Sequence, residues 1–166
     1  MSTMKGRAWI FDDNVDTDQI LPGYAMAEDF STLSRYAMAG SKTPDFPKLV
    51  QQGDIIVAGK NFGCGSSREQ APVALKEAGV GLVIASSFAR IFRRNAINIG
   101  LPVMLADIRE CVRQGDVIEV DIEQGTICLG DQTLSGQALS NNVLMTIKAG
   151  GLINRVRQEL KLGNIN

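Results

Sequence analysis

The segment Gly63-Cys64-Gly65-Ser66-Ser67-Arg68-Glu69-Gln70 sets two glycines, two adjacent serines and an arginine directly ahead of a run of helix formers. Glycines at such spacing permit positive φ or close approach of a ligand to the backbone. Ser67-Arg-Glu-Gln70 has the spacing of a capping box, which predicts a helix start at this point. A helix start offers unpaired N–H groups and the positive end of the macrodipole, worth about 0.3–1 kcal/mol or more to an anion beside Ser66 and Ser67. Arg68 in the first turn opposes the usual preference for acidic residues there, while its guanidinium fork suits a carboxylate in two parallel hydrogen bonds. Carboxylates and phosphates are therefore the candidate ligands. A plain cap at Ser67 beside a glycine turn accounts for the same residues, Arg68 excepted.

The 166 residues include no histidine. No Ser-His-Asp triad or histidine-containing zinc site can be built within the chain, so any acid–base chemistry near neutrality uses another group or one lent by a partner. Cys64, Cys111 and Cys128 form no C-x-x-C pair, which suits neither a disulfide framework nor a zinc knuckle and points to a reducing cytoplasm. Their spacing is also a poor iron–sulfur pattern, and each is expected to be a small buried apolar residue. Asp12 and Asp13 are expected to solvate a loop rather than form a catalytic dyad. The dinucleotide pattern G-x-G-x-x-G fails at Arg68, and G-x-S-x-G is absent. A formal charge of −1 gives no basic field for nucleic acid. No apolar run approaches a membrane span or a leader's hydrophobic core, so no membrane association is expected.

The elements that must position the loop follow from pattern. Gly6–Phe11 reads as a strand running into Asp12-Asp13-Asn14, and the spacing of Phe30, Leu33, Tyr36 and Ala37 predicts a helix over Ala27–Ala39 closed by Gly40. A short helix is expected over Pro44–Gln52. Asp54–Ala58 and Gly81–Ala85 read as buried strands, each followed by a helix: Arg68–Ala78 ended by Gly79, and Phe88–Ile99 ended by Gly100 with Ser86 and Ser87 as cap candidates. Phe88, Ile91, Phe92 and Ile99 are expected in the core, with Arg90, Arg93 and Arg94 on a solvated face or subunit contact. Leu101–Leu105 is a further strand, and Val117–Asp121 with Thr126–Leu129 forms a hairpin. Two helical stretches between Asn142 and Leu162 break at Gly150-Gly151, the second presenting Leu152, Ile153, Val156 and Leu160 on one face. The β-α-β alternation plus a hairpin predicts a single three-layer α/β domain over residues 1–166 with a mixed sheet. The 60–67 loop leaves the carboxyl end of a strand, where open α/β sheets place ligands.

Asn61-Phe-Gly-Cys-Gly-Ser-Ser-Arg-Glu-Gln-Ala71 closely resembles the small subunit of isopropylmalate dehydratase. So do Ser86-Ser-Phe-Ala-Arg-Ile91, Asp16-Thr-Asp18 leading to Leu21-Pro22, and Ala149-Gly-Gly-Leu-Ile-Asn154. The resemblance spans essentially the whole chain and implies the swivelling β/β/α domain of the aconitase superfamily. It implies a hydro-lyase of leucine biosynthesis that isomerises 2-isopropylmalate to 3-isopropylmalate by dehydration and rehydration. The implied enzyme is a heterodimer or heterotetramer whose large subunit holds a [4Fe-4S] cluster, with no metal ligand from this chain. By motif position Ser66 resembles the serine that takes the proton from carbon, and Ser67 and Arg68 resemble the residues that bind substrate carboxylate. Asp18 resembles the aspartate that supports a histidine of the larger part.

The stretch Ile20–Glu28 matches the region where relatives select the group on the γ-carbon. No arginine lies between Arg7 and Arg35, and Tyr24, Ala25 and Met26 suit an apolar substituent better than a third carboxylate. Ordinary packing beneath a loop is the competing account of Tyr24 and Met26. The family's Arg-Tyr-Leu run is not reproduced, which keeps a related dehydratase for 2,3-dimethylmalate, another methylated malate or homoaconitate as an alternative, beside a non-catalytic anion-binding module.

Overall fold

The computed structural model describes residues 3–165. Strands β1 (Thr3–Ile10), β2 (Ile55–Ala58), β3 (Leu82–Ala85) and β4 (Val103–Leu105) pair in parallel in the order β4-β3-β2-β1. Beyond β1 the sheet continues antiparallel through β5 (Val117–Asp121), β6 (Thr126–Leu129) and β7 (Gln132–Ser135), seven strands in all. β1 belongs to both halves, because Ala8–Ile10 register with Ile55–Val57 whereas Thr3–Arg7 register with Asp121–Val117.

The strands β2 and β3 are apolar at every position because both of their faces are covered. Ile56, Ala58, Val83 and Ala85 face a cluster that includes Ala71, Leu75, Phe92 and Ala96. Ile55, Val57, Leu82 and Ile84 face the other way, against Ile118, Val120 and Ile127 of the antiparallel strands. The period of two thus separates a helical layer from a second layer of sheet, the expected mixed-sheet β/β/α arrangement.

Two helices carry the first layer. In α3 (Gln70–Ala78) Ala71, Ala74 and Leu75 recur on the buried face, and Gly79 at φ 111° ends the helix in a left-handed cap. In α4 (Arg90–Asn98) Phe92 and Ala96, four apart, are the buried contacts. Phe62 at the start of the site loop lies edge-on to Phe92, with ring centroids 5.3 Å apart. Burial of each such ring is worth about 1.5–3 kcal/mol.

Several expectations need correction. Residues 27–39 are not one α-helix. The chain makes the one-turn helix α1 (Thr17–Ile20) and then 3-10 segments at Gly23–Ala27 and Phe30–Tyr36. Neither segment has a side-chain cap, and burial of Leu33, Ala37 and Met38 in the core fixes the path instead. The 44–52 helix shrinks to α2 (Phe46–Leu49). Strand β7 was not anticipated, since Gln132–Ser135 buries little and is held by pairing with β6. The last two helices, α5 (Asn141–Lys148) and α6 (Leu152–Ile165), flank Gly150-Gly151 as expected, and Leu152, Ile153, Val156 and Leu160 of α6 are all solvent-exposed. Ile91 is exposed as well. Cys64 is half-buried and Cys111 and Cys128 are exposed, so none is the buried apolar residue expected. No helix among the described residues is long and apolar enough to cross a membrane.

Candidate functional site

Three loops converge at the carboxyl ends of adjacent parallel strands: residues 11–16 after β1, 59–69 after β2 and 86–89 after β3. Backbone bonds zip them together. Asn14 N donates to Lys60 O at 2.7 Å, Gly63 N to Val15 O at 2.7 Å and Thr17 N to Cys64 O at 2.9 Å. On the other flank Phe62 N donates to Ser87 O at 3.1 Å and Ala89 N to Phe62 O at 2.9 Å. The Lys60-to-Cys64 stretch that leads into the serines is therefore held from both sides by backbone groups that would otherwise be unpaired.

Gly63 adopts φ 84°, and a Cβ there would run into the Phe92 ring. Only glycine satisfies both the left-handed backbone and the contact with α4.

The sequence-predicted residues come together around Arg68, whose side chain is about one-fifth exposed. Its Nη1 donates to Asp18 Oδ1 at 2.9 Å and to Leu21 O at 2.7 Å. Asp16 caps α1 by accepting from Gln19 N at 2.8 Å, which sets the turn that carries Asp18. Arg68 is shared by two recesses. A cavity of about 460 Å³ is lined by Ser67, Arg68, Thr17, Gly65, Ala89 and Arg90 among others. A smaller one of about 200 Å³ is lined by Ser66, Arg68, Asp16, Asp18, Thr17 and Gly65. Ser66 and Ser67 are both exposed and thus open to a ligand.

The electrostatics differ from the expected cradle. Helix α3 begins at Gln70 with Glu69 in the cap position and no side-chain cap, so Ser67 does not close a capping box and Arg68 lies outside the first turn. The macrodipole is correspondingly weaker at Ser66, since its effect fades beyond the terminal turn. Two carboxylates, Asp16 and Asp18, border the Ser66 recess. Ser86 and Ser87 do not cap α4 either. The Ser86 hydroxyl donates to Asp107 at 3.1 Å, and the Ser87 hydroxyl accepts from Asn61 N at 2.9 Å, both serving the loops.

Tyr24, Ala25 and Met26 split in environment. Tyr24 is 70% exposed and meets Tyr36 edge-on at 5.8 Å, whereas Ala25 is fully buried and Met26 packs on the core. The loop nevertheless borders the site, because a Cβ at Gly23 would lie 3.7 Å from Asp18 Oδ1 and 3.9 Å from Arg68 Nη2.

Thr17 escaped the sequence reading. It is 3% exposed, and its hydroxyl donates to Ser66 O at 2.6 Å, tying α1 to the serine loop. Its place inside Asp16-Thr-Asp18 is the only signal that marked it. The three thiols lie on separate elements, Cys64 in the site loop, Cys111 in the β4–β5 connection and Cys128 on β6. Among the described residues no group of three His, Cys, Asp or Glu side chains could hold a metal ion, so this donor set does not fit an iron–sulfur cluster.

Asp12 and Asp13 serve structure. Asp12 pairs with Arg109 and Lys42, and the Arg109 hydrogen bond, aided by Lys42, holds its carboxyl below the usual range. Asp13 accepts from Lys60 N at 2.7 Å.

A mixed-sheet β/β/α domain with a serine–serine–arginine loop at its strand ends defines a domain of the aconitase type. The aconitase C-terminal domain model matches residues 17–107, which include α1 and the loops after β2 and β3. The chain is 46% identical to 3-isopropylmalate dehydratase small subunit 1 of Methanopyrus kandleri, covering 94% of each. It is 50% identical to the isopropylmalate/citramalate isomerase small subunit of Methanocaldococcus jannaschii, covering 96% of each. To the methanogen homoaconitase small subunit of Methanothermobacter thermautotrophicus it is 47% identical, covering 96% of this chain and 94% of that one. A crystal structure of 3-isopropylmalate dehydratase from Methanocaldococcus jannaschii superposes with a TM-score of 0.92 at 42% identity over 98% of both chains. The chain belongs to the aconitase C-terminal domain family, among the small subunits of 3-isopropylmalate dehydratases.

Proposed function

We propose that the chain is the small subunit of a cytoplasmic heteromeric hydro-lyase that interconverts 2- and 3-isopropylmalate in leucine biosynthesis, by removing water and adding it back across the alkene. The observation that carries this reading is the meeting of Ser66, Ser67, Arg68 and Asp18 at the carboxyl ends of β1 and β2. Arg68 offers its remaining N–H groups to a substrate carboxylate, with the Ser67 hydroxyl beside it in the larger cavity. Asp18 holds the guanidinium in place and supports a histidine lent by the partner.

Ser66 takes the proton from the substrate carbon. Asp16 and Asp18 on its recess oppose a free alkoxide in the isolated chain, because like charges disfavour ionisation. Deprotonation therefore awaits closure against the large subunit, where excluded water strengthens every fixed donor and the balance of charge changes. The resemblance assigns the [4Fe-4S] cluster to that large subunit. The three scattered thiols here do not fit one, and the steps above are those of this chain's own side chains.

A related substrate is the second reading, favoured by similar identity to relatives named for citramalate and homoaconitase. The exposed Tyr24 at the loop edge, with no arginine between Arg7 and Arg35, argues for an apolar γ-substituent over a third carboxylate. The test is to assemble the chain with its cluster-bearing subunit and assay isopropylmalate, dimethylmalate, citramalate and homoaconitate. Turnover of isopropylmalate is expected only from the assembled complex. Turnover by the chain alone, or preference for the tricarboxylate, would overturn the reading.

A further inference from the structure

We infer that Arg90 is a second substrate-binding cation of this site, taking a carboxylate of the alkylmalate dianion; the inference rests on the dehydratase reading above. Arg68 and Arg90 line the same cavity, together with Ser67. The two cations differ in what already balances them. The Arg68 guanidinium is committed on one nitrogen to Asp18 and to the Leu21 carbonyl. Arg90 is exposed, and no carboxylate pairs with it among the described residues.

Arg90 is also placed against local preference. It is the first residue of α4, where a positive side chain opposes the helix macrodipole, so helix stability does not explain an arginine there. Its position relative to the serine loop is fixed by backbone: Phe62 and Phe88 form a parallel bridge, and Ala89 N donates to Phe62 O. The stacked Phe88 and Phe92 rings, 6.3 Å apart, stiffen the turn that bears it. An unneutralised guanidinium, carried on a backbone-anchored turn at the edge of a cavity that also holds Arg68 and Ser67, matches a substrate with two carboxylates, because a single half-neutralised arginine leaves one of them unpaired. Arg93 lies one turn further along α4; with Arg90, Arg94 and Val143 it lines a second recess, but it does not line the cavity of the serine loop.

The test uses the assembled complex with the large subunit. Arg90→Ala is expected to raise KM for isopropylmalate about 10- to 100-fold with kcat changed much less, and to weaken calorimetric binding of malate, which keeps both carboxylates, by a similar factor. Arg90→Lys is expected to recover part of both, and Arg93→Ala to change neither. Unchanged KM and malate affinity in Arg90→Ala, with wild-type turnover intact, would overturn the inference and leave the dehydratase reading standing. A KM rise matched by an equal loss of affinity for the large subunit would also overturn it, since it would make Arg90 a docking residue. A wild-type complex inactive on every alkylmalate would instead overturn the functional reading itself.

Discussion

Arg68 and Asp18 are joined by a 2.9 Å ion pair across a sequence separation of 50 residues, and Leu21 O accepts from the same guanidinium nitrogen. Asp18 is about two-thirds exposed, so the pair adds little to stability and its consequence lies in where it holds the guanidinium. Asp18→Asn is expected to raise KM severalfold in the assembled enzyme, and in an Arg68→Ala background the same change is expected to have little further effect. A double-mutant cycle on kcat/KM should give a coupling of about 0.5–3 kcal/mol. Additive losses would show that Asp18 acts through another group.

The serines should separate kinetically. Ser66→Ala is expected to lower kcat by about 10²–10⁴ while KM stays within a few-fold, the pattern of a lost proton-transfer group. Ser67→Ala should act mainly on KM. Full turnover by Ser66→Ala in the complex would remove Ser66 from the chemistry.

The loop edge should govern selectivity. Replacing Tyr24 by alanine is expected to narrow the preference for isopropylmalate over citramalate, by up to about 1–3 kcal/mol in relative kcat/KM, because the contact at stake is apolar. Because Tyr24 is exposed, the melting temperature should barely move. A collapse in stability with no change in selectivity would reduce Tyr24 to packing.

Acid stability should follow Asp54, which is 3% exposed and accepts from Arg7 at 3.0 Å, Trp9 Nε1 at 2.8 Å and Gln51 N at 2.8 Å. Burial pushes its carboxyl up, yet the hydrogen bonds from Arg7, Trp9 and Gln51 outweigh it and leave the pKa below the ordinary value of 3.8. A depressed carboxylate stabilises the fold at pH above that ordinary value and loses the contribution as pH falls through its lower folded value. Asp54→Ala is expected to cost about 2–3 kcal/mol at neutral pH, chiefly because the Trp9 and Gln51 donors lose their partner. Denaturation midpoints of wild type and variant should converge as the pH drops below about 4.

Gly63→Ala is expected to destabilise by about 2 kcal/mol or more, since it combines a positive φ with a clash against Phe92. Thermal melting is the check, and an unchanged melting temperature would mean that the loop and α4 separate at little cost.

How much of this was legible follows from the range of each interaction. Fully apolar β2 and β3, helices ended by Gly79 and Gly100 and the break at Gly150-Gly151 are local signals, written in composition and period, and they specified the alternating α/β architecture. The Gly63-to-Arg68 motif announced a site in the same way, and the absence of histidine dictated that any neutral acid–base partner lies elsewhere. Tertiary structure alone decided that residues 23–36 run as 3-10 turns, because Leu33, Ala37 and Met38 are fixed by a core built from distant strands. It also decided that α3 starts at Gln70, so that Ser67 is freed from capping and Arg68 turns to Asp18, and that Arg90 shares the cavity of the serine loop. Those outcomes depend on contacts between segments tens of residues apart, which no local pattern encodes.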